Sequence, residues 1–251
     1  MLIATEYLGK VGIGATDPEF FRANDGKIYV VKSPYNSLGK KVLISELIAA
    51  KFGKFLNLPF PNSDLIDIKN FFPSKNKIEY IAFASEYISD SVYATNENIS
   101  HTDNLNSMAG VILFDHLFHN SDRTNNRKNL LVAPNGNQKH IYAIDHSHLF
   151  RTGHWTIELL TKLSGKINIY TKFIYGVLLR RYLTLADFMP YLQRIDELSH
   201  RNIQEIIANV PDYWFQNINE AEVCYDFICK RCALAENITT AIFAVISDKN
   251  N

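Results

Sequence analysis

The stretch that decides the fold of this chain is Asn120-Ser-Asp-Arg-Thr-Asn-Asn-Arg-Lys-Asn-Leu-Leu-Val132, and it is followed closely by His140-Ile-Tyr-Ala-Ile-Asp-His-Ser147. In the first stretch, Asp122 and Asn129 lie on a polar loop that leads into a short apolar run. In the second stretch, Asp145 ends another apolar run. This order of acid, amide and acid is typical of metal-assisted phosphoryl transfer, in which a base or orienting acid precedes the oxygen ligands of a hard cation.

The composition of the chain is that of a globular protein without an excess of charge. Of its 251 residues, 47% are hydrophobic, and 26 basic residues balance 26 acidic ones. This balance gives no indication of binding to nucleic acid or to a membrane surface. The sequence has no apolar stretch of the roughly 20 residues that span a bilayer, and its start has none of the features of a signal peptide. We therefore expect a cytoplasmic protein that forms one large domain or two small lobes.

The cysteines of the chain, Cys224, Cys229 and Cys232, all fall in one C-terminal stretch with a helical pattern. An odd number of clustered cysteines argues against a disulfide framework and for a reducing compartment. Three thiols without a nearby fourth ligand do not favour a metal site, so we expect these cysteines to be buried on a helix.

The first third of the chain has the pattern of β-strands around one helix. A hairpin is predicted because Gly26 in Asn-Asp-Gly readily supplies a positive φ. A helix is predicted to end before Pro59 and Pro61. The predicted elements are strands over 19–23 and 27–32, a helix over about 38–57, and strands over 64–68 and 78–84.

The rest of the chain is predicted to be mostly helical. Residues 89–104 are polar and predict a connecting or surface loop. The predicted elements beyond it are a helix over 105–119, two short strands next to the opening motif, and helical runs over 167–181, 185–209 and 219–246, within a helical part that extends from about 156 to 248. A β-rich part followed by a helical part predicts an α+β fold with two lobes, which we assign to residues 1–88 and 89–251.

Lys32 and Glu46 are the candidate nucleotide-binding residues of the first part. A lysine on a rigid strand can hold the phosphate oxygens of a nucleotide, and it needs a carboxylate to orient it. Glu46 lies on the helix that follows and is the candidate partner. Either residue alone would more simply be an ordinary surface residue, but their order and separation favour the functional interpretation.

A glycine-rich stretch, Gly9-Lys-Val-Gly-Ile-Gly-Ala-Thr16, precedes the predicted hairpin. Gly12 and Gly14 could let backbone N–H groups approach phosphates closely. The spacing fits neither a Walker A loop nor a dinucleotide fingerprint, and a simple flexible turn is an equal alternative. Thr16 could be an autophosphorylation site, with an ordinary turn threonine as the alternative.

The acids and amides of the opening motif have distinct candidate roles. Asp122 could accept or orient the proton of an attacking hydroxyl group. Asn129 and Asp145 could bind Mg²⁺, which uses few protein carboxylates and keeps its other positions for phosphate and water. Asn126 is a competing amide ligand, and Arg123 could stabilise the loop or counter its charge.

Four histidines near the motif open a different interpretation, that of a metal-dependent phosphoesterase. His116 and His119 are at helical i, i+3 spacing, and His146 and His148 follow Asp145. Histidine is a common metal ligand, but these residues lack a tight ligand motif and are more simply helix-face, capping or loop-orienting residues.

Together these motifs resemble those of the protein-kinase-like superfamily, and specifically the HipA-like kinases of bacteria. The shared features are a strand lysine in Val-Val-Lys32, a helix followed by Leu58-Pro-Phe-Pro61, Asn-x-Asp-Arg-x(5)-Asn-Leu-Leu over 120–131 and Ile-Asp-His over 144–146. The resemblance covers about residues 5–150. The helical remainder matches only in character.

The resemblance implies a bilobal kinase fold, ATP with Mg²⁺ as cofactors, and transfer of the γ-phosphate to a Ser or Thr hydroxyl. By position, Lys32 would contact the nucleotide phosphates and pair with Glu46. Asp122 would be the catalytic acid/base, and Asn129 and Asp145 would be the magnesium ligands.

The resemblance also implies where adenine would bind and what partners to expect. Glu86-Tyr87-Ile88 would be the hinge whose backbone holds the base. The larger HipA toxins carry an extra N-terminal segment, and this chain begins almost at its glycine-rich loop, so we expect a short form. An antitoxin-like protein partner is a further expectation, and a nucleotide-binding pseudokinase with a regulatory role is the alternative function.

Overall fold

Strands dominate the first third of this protein and helices the remainder, in a computed structural model that describes residues 1–72 and 80–247. The strands are β1 Leu2–Lys10, β2 Glu19–Ala23, β3 Ile28–Lys32, β4 Ser63–Asp67, β5 Ile81–Glu86, β6 Val92–Tyr93, β7 Leu130–Asn135 and β8 Gln138–Ala143. The α-helices are α1 Lys41–Leu56, α2 Met108–Leu117, α3 Asp122–Asn125, α4 Ile157–Ser164, α5 Phe173–Arg181, α6 Leu185–Asp196, α7 His200–Ala208, α8 Ile218–Cys232 and α9 Ala235–Ser247. This mixture of strand and helix agrees with the predicted fold class.

The first five strands form a closed barrel in the order β1-β2-β3-β5-β4. All neighbours are antiparallel except β1 and β4, which pair in parallel at Leu2 with Ile66 and at Ile3 with Asp67. The predicted β2–β3 hairpin is confirmed, with Gly26 at φ 83° in its turn. Strand β1 was not predicted from the sequence, because most of its side chains are exposed and give no clear alternation.

Helix α1 agrees with the predicted helix over 38–57 and ends where Asn57 takes the left-handed conformation, φ 56°. The strand predicted over 64–68 is β4, one residue earlier. The strand predicted over 78–84 corresponds to β5, which begins at Ile81 and continues to Glu86. Residues 78 and 79 lie outside the described residues.

Three predicted helical runs were too long. The run over 185–209 is divided into α6 and α7, because Ser199 and Asn202 form a capping box that starts a new helix. The run over 167–181 is helical only from Phe173, since the backbone N–H of Tyr170 donates to His116 Nε2 instead of to a helical carbonyl.

The third run, over 219–246, is divided into α8 and α9, and both helices pack against α2. The end predicted near 248 lies outside the described residues.

The loop predicted over 89–104 was partly wrong, because it contains β6 and a 3-10 turn at Asn98–His101. Cys224 on α8 is buried as predicted, whereas Cys229 and Cys232 are only half-buried.

Helix α2 lies at the centre of the helical part, and every one of its residues is buried. It leads directly into the motif that begins at Asn120. Strands β6, β7 and β8 then form a small antiparallel sheet in which Leu130 is opposite Ala143. Because the N–H of Ile144 also donates to the carbonyl of Asn129, at 3.0 Å, this hairpin brings Asn129 next to Asp145.

Among the described residues, no helix combines the length and apolar character needed to cross a membrane.

Candidate active site

A cleft of about 870 Å³ contains most of the candidate residues. It is lined on one side by barrel strands β2, β3 and β5 and on the other by residues of β7 and of the segment after β8. Its apolar lining includes Val11, Phe20, Val30, Phe83, Leu131 and Ile144. Its polar lining includes Lys32, Glu46, Asn126, Asn129 and Asp145. The cleft thus combines an apolar region with one group of charged and amide side chains, as small-molecule sites commonly do.

Lys32 connects the two candidate carboxylates of the cleft. Its Nζ atom pairs with Glu46 Oε1 and lies 2.8 Å from Asp145 Oδ1. The side chains of Lys32 and Glu46 are 10% and 5% exposed, so their charges are held in a largely dry environment. Burial alone would lower the pKa of Lys32, but Asp145 and Glu46 outweigh it and raise that pKa above its usual value. The ammonium group therefore stays charged.

Asp145 lies at the edge of the cleft, with 34% of its side chain exposed and its backbone in the left-handed conformation, φ 57°. Within the described residues, its hydrogen bonds all go to Oδ1, from Lys32 Nζ and from the N–H and hydroxyl of Ser147. Burial would raise the pKa of this carboxyl, but Lys32 and Ser147 more than offset it and keep the pKa well below its usual range. Asp145 is thus an anion whose Oδ2 makes no hydrogen bond to the described chain.

Glu46 and His146 link helix α1 to the segment after β8. Glu46 accepts a hydrogen bond from the backbone N–H of His146 at 3.0 Å, besides its pairing with Lys32. The His146 ring is buried and packs edge-on against Phe60, with centroids 4.1 Å apart. Burial lowers the pKa of His146 well below its usual value, so the neutral ring acts as a packing group.

Asp122 is hydrogen-bonded to Asn129, which lines the cleft. The amide Nδ2 of Asn129 donates to Asp122 Oδ2 at 2.6 Å, and Asn129 is 3% exposed. Asn126 donates to Asn129 Oδ1 at 3.0 Å and accepts from the backbone N–H of Lys128 at 3.1 Å. Both amides line the cleft, whereas Asp122 itself does not. The structure therefore brings the three residues together, with Asn129 between the other two.

A buried network holds this motif in place; it includes Arg123, for which a stabilising role was one expectation, and Asp115, which sequence reasoning missed. Asp115 on α2 accepts hydrogen bonds from Asn120 Nδ2 at 2.8 Å, from Arg123 Nε at 2.9 Å and from the Tyr175 hydroxyl. Asp115 and Arg123 are completely buried. Burial raises the pKa of Asp115, although the Arg123 charge and these hydrogen bonds oppose that effect. The signal in the sequence was one acid inside the apolar helix Met108–Leu117.

Arg123 extends this network to both sides of the β7–β8 hairpin. Its Nη1 atom donates to the carbonyl oxygen of Asn129 at 2.8 Å and to that of Ile144 at 2.6 Å. Ile144 immediately precedes Asp145. One guanidinium group therefore fixes the backbone next to both candidate metal ligands.

The glycine-rich stretch contributes to the cleft only in part. Gly12 and Gly14 both have positive φ, 80° and 104°, which glycine adopts at little cost. Gly14 and Thr16 line the cleft, whereas Gly12 does not. Thr16 is 4% exposed.

The predicted hinge lines the cleft at Glu86, Tyr87 and Ile88. Two of its backbone donors are already used, because Glu86 N–H donates to Asn62 at 2.7 Å and Tyr87 N–H donates to Ile28 at 2.9 Å. In the described part of the chain the N–H of Ile88 has no acceptor, so it is the hinge donor open to a ligand.

The histidines do not assemble a metal site. His116 and His119 are buried and hydrogen-bonded to backbone carbonyls, and His148 lies 3.1 Å from the Ser147 hydroxyl. Within residues 1–72 and 80–247, no three His, Cys, Asp or Glu side chains form a group that could hold a metal ion. The described residues thus give the phosphoesterase alternative no support.

Comparisons with known proteins identify the family of this chain and one similar fold. The model of the HipA-like kinase family matches residues 4–239, so the chain belongs to the HipA-like kinase family. The structure is similar to the crystal structure of the Helicobacter pylori proinflammatory kinase CtkA, with a TM-score of 0.61 and 16% identity over 95% of this chain and 98% of that one. It is also similar to HipA of Shewanella oneidensis MR-1, solved with HipB and operator DNA, with a TM-score of 0.49 and 13% identity over 95% of this chain and 68% of that one. A search of the curated proteins gave no match.

Proposed function

We propose that this protein is an ATP-dependent phosphotransferase, a Ser/Thr kinase that moves the γ-phosphate of ATP to a hydroxyl group. The observation that carries the proposal is the contact of Lys32 with both Glu46 and Asp145 in a cleft that also has an apolar lining. A charged lysine held in this way can bind phosphate oxygens, while the apolar lining can accept a base. The family match supports the same activity.

The proposed arrangement is bilobal. Residues 1–88 would form the first lobe, with the barrel and α1, and residues 89–251 would form the second. Adenine would lie against the apolar lining of the cleft, with its edge at the Ile88 N–H. The stretch that contains Gly12 and Gly14 would cover the phosphates.

The residues present fit Mg²⁺ as the metal. Asp145 offers Oδ2, which makes no hydrogen bond to the described chain, and Asn129 offers an amide oxygen, so both donors are the hard oxygens that Mg²⁺ prefers. We favour Asn129 over Asn126 because its backbone is bonded to Ile144, directly before Asp145, at 3.0 Å. When bound, Mg²⁺ would neutralise charge on the phosphates.

The proposed reaction asks the protein mainly for positioning. The acceptor hydroxyl oxygen attacks the γ-phosphorus, the bond from that phosphorus to the β–γ bridging oxygen breaks, and ADP leaves. Asp122 accepts the hydroxyl proton. Lys32 holds phosphate oxygens with its charge, and Glu46 keeps the lysine oriented.

A nucleotide-binding pseudokinase is the second candidate, and one observation favours it. Asp122 does not line the cleft, and its Oδ2 is bonded to Asn129. A chain that kept this arrangement with nucleotide bound would have no acid at the reacting atoms. The acceptor, a protein or a small hydroxyl compound, and an antitoxin-like protein partner stay predictions.

One assay separates the candidates. Purified protein is incubated with labelled ATP and Mg²⁺, alone and with a cell extract, beside Asp122→Ala and Asp145→Ala and the exposed control Asp226→Ala. Transfer by the wild type and by the control, but by neither active-site variant, supports the kinase. Nucleotide binding without transfer would favour the pseudokinase. Phosphate-ester cleavage that needs metal but no ATP would overturn both.

A further inference from the structure

Helix α8, outside the cleft, carries two buried charged side chains near its opposite ends. Glu220 is 2% exposed and Arg231 is 1% exposed. Burying a charge is costly unless the charge is paired and hydrogen-bonded. The partners of these two residues therefore show what α8 holds.

Glu220 holds the beginning of helix α1. Its Oε1 atom lies 2.9 Å from Lys41 Nζ, and Lys41 is the first residue of α1. The same ammonium group donates to the carbonyl of Trp155 at 2.6 Å and lies 4.7 Å from the centre of the Trp155 ring. Three contacts thus fix this end of α1, and Glu46, the partner of Lys32, lies five residues further along the same helix.

Arg231 holds the end of helix α2. Its Nε atom donates to the carbonyl of Leu117 at 2.8 Å, and Nη2 donates to that of His116 at 3.0 Å. Nη1 donates to the carbonyl of Ser164, the last residue of α4, and to that of Lys166 just beyond it. The last carbonyls of a helix lack intrahelical donors and carry partial negative charge, so a buried guanidinium group satisfies and stabilises them.

These two contacts join elements that carry different parts of the proposed active site. Helix α1 carries Glu46, and α2 leads within a few residues to Asp122. Glu220 and Arg231 are eleven residues apart, which corresponds to about 16 Å along a helix. A single rigid helix therefore links both elements, and neither residue lines the cleft.

We propose that α8 is a positioning strut, in which Glu220 and Arg231 hold α1 and the end of α2 at a fixed separation so that Glu46 and Asp122 stay correctly placed. The kinetic part of this proposal rests on the proposed function. Glu220, Lys41 and Arg231 are positioning residues, because they act through α1 and α2 and touch neither nucleotide nor acceptor.

The test uses variants that weaken each end of the strut beside matched controls on its exposed face. Glu220→Gln and Arg231→Lys weaken the two contacts, and Glu222→Gln and Lys230→Gln change exposed neighbours on the same helix. Transfer rates are measured well below the midpoint of thermal unfolding and divided by the folded fraction. Hydrogen exchange of peptides that cover 41–56 and 117–129 is measured without nucleotide.

We expect kcat per folded molecule to fall about 10- to 100-fold in Glu220→Gln and Arg231→Lys, because small misplacements of reacting groups cost that much. The KM for ATP should change much less, and both controls should behave like the wild type. Exchange should accelerate over 41–56 in Glu220→Gln and over 117–129 in Arg231→Lys, while the β2–β3 hairpin keeps its protection.

A purely structural role gives a different result. It would lower the unfolding temperature but leave kcat per folded molecule and the exchange of both peptides unchanged, which would overturn the proposal. If the wild type transfers no phosphate, the proposed function is wrong. The exchange data alone then test whether α8 holds α1 and the end of α2 in place. Local acceleration would support it, and unchanged exchange would refute it.

Discussion

Arg123 and Asp115 form an ion pair in which neither side chain has exposed surface, with Arg123 Nε 2.9 Å from Asp115 Oδ2. The same guanidinium group donates to the carbonyls of Asn129 and Ile144. The pair therefore connects central helix α2 to the backbone at both ends of the β7–β8 hairpin, at Asn129 and directly before Asp145. Breaking this buried pair should lower the free energy of unfolding more than breaking an exposed pair, because it leaves an uncompensated charge inside the protein.

Replacing Arg123 should destabilise the protein severely. In Arg123→Leu the Asp115 carboxylate would stay buried without its counter-charge, so we expect the free energy of unfolding to fall by about 3–5 kcal/mol. Urea unfolding followed by circular dichroism measures it. Arg201→Leu is the control, since its ion pair with Glu205 is 86% and 58% exposed and should contribute less than about 1 kcal/mol. Equal losses in the two variants would contradict the role assigned to burial.

The choice between Asn129 and Asn126 can be made by magnesium dependence. If Asn129 is the ligand, Asn129→Ala should raise the Mg²⁺ concentration that half-saturates ADP binding by about tenfold or more, in the range typical of lost metal-site residues. Asn126→Ala should shift it less, because the backbone of Asn129, and not that of Asn126, is bonded to Ile144 directly before Asp145. Titration calorimetry at several Mg²⁺ concentrations gives both values. A larger shift in Asn126→Ala would reverse the assignment.

His116 should make the protein less stable in acid. Its Nε2 accepts from the Tyr170 N–H and its Nδ1 faces the Ile112 carbonyl, so the folded protein holds the neutral ring. Burial lowers its pKa from 6.5 to about 4. Between these values the unfolded chain binds a proton that the folded chain does not, so the stability present above pH 6.5 is lost as the pH falls toward 4.

For one histidine, the free energy of unfolding falls by at most about 1.4 kcal/mol for each pH unit. We expect a shallower slope of unfolding free energy against pH in His116→Gln, measured by urea unfolding at several pH values. His154→Gln changes an exposed histidine and should keep the wild-type slope. An unchanged slope in His116→Gln would show that this residue does not carry the effect.

Any residue larger than glycine at position 110 should destabilise the protein. A Cβ atom there would lie 2.3 Å from Tyr191 Cε1 and 2.6 Å from Leu58 Cδ2, so α2 and α6 would have to separate. We expect Gly110→Ala to cost about 1–3 kcal/mol, as overpacking commonly does, measured by thermal unfolding. Gly165→Ala is the control because no atom lies within 4 Å of its Cβ position and its φ of −98° is not strained. A Gly110→Ala variant as stable as the control would contradict the close approach of the helices.

The elements that carry Lys32, Glu46 and Asp145 could be predicted from the sequence because their signals are local. A turn glycine starts the β3 strand, helical spacing marks α1, and apolar runs flank the motif. The contact of Lys32 with Asp145 joins residues 113 positions apart, so only the family resemblance related them in advance. Their roles in catalysis stay predictions.

The buried charge of Arg231 could not be predicted, because in a stretch of mixed polarity a charge inside a fold looks the same in sequence as one on a surface. Arg231 lies in a stretch with Lys230 and exposed neighbours, and only the direction of its side chain makes it a core residue. The predicted start of the helical run over 167–181 was wrong for a related reason. Tertiary contacts, such as that of Tyr170 with His116, replace helical hydrogen bonds without changing the apolar pattern.

Closure of the barrel has a consequence for self-association. A strand edge with unpaired N–H and C=O groups is a template on which another chain can add. Here β1 and β4 cover one another, and they do so through only two residue pairs, Leu2 with Ile66 and Ile3 with Asp67. The pairing of β4 with the start of β1 thus prevents edge-to-edge pairing between copies of the chain. Variants that weaken this pairing are the first in which aggregation should be measured.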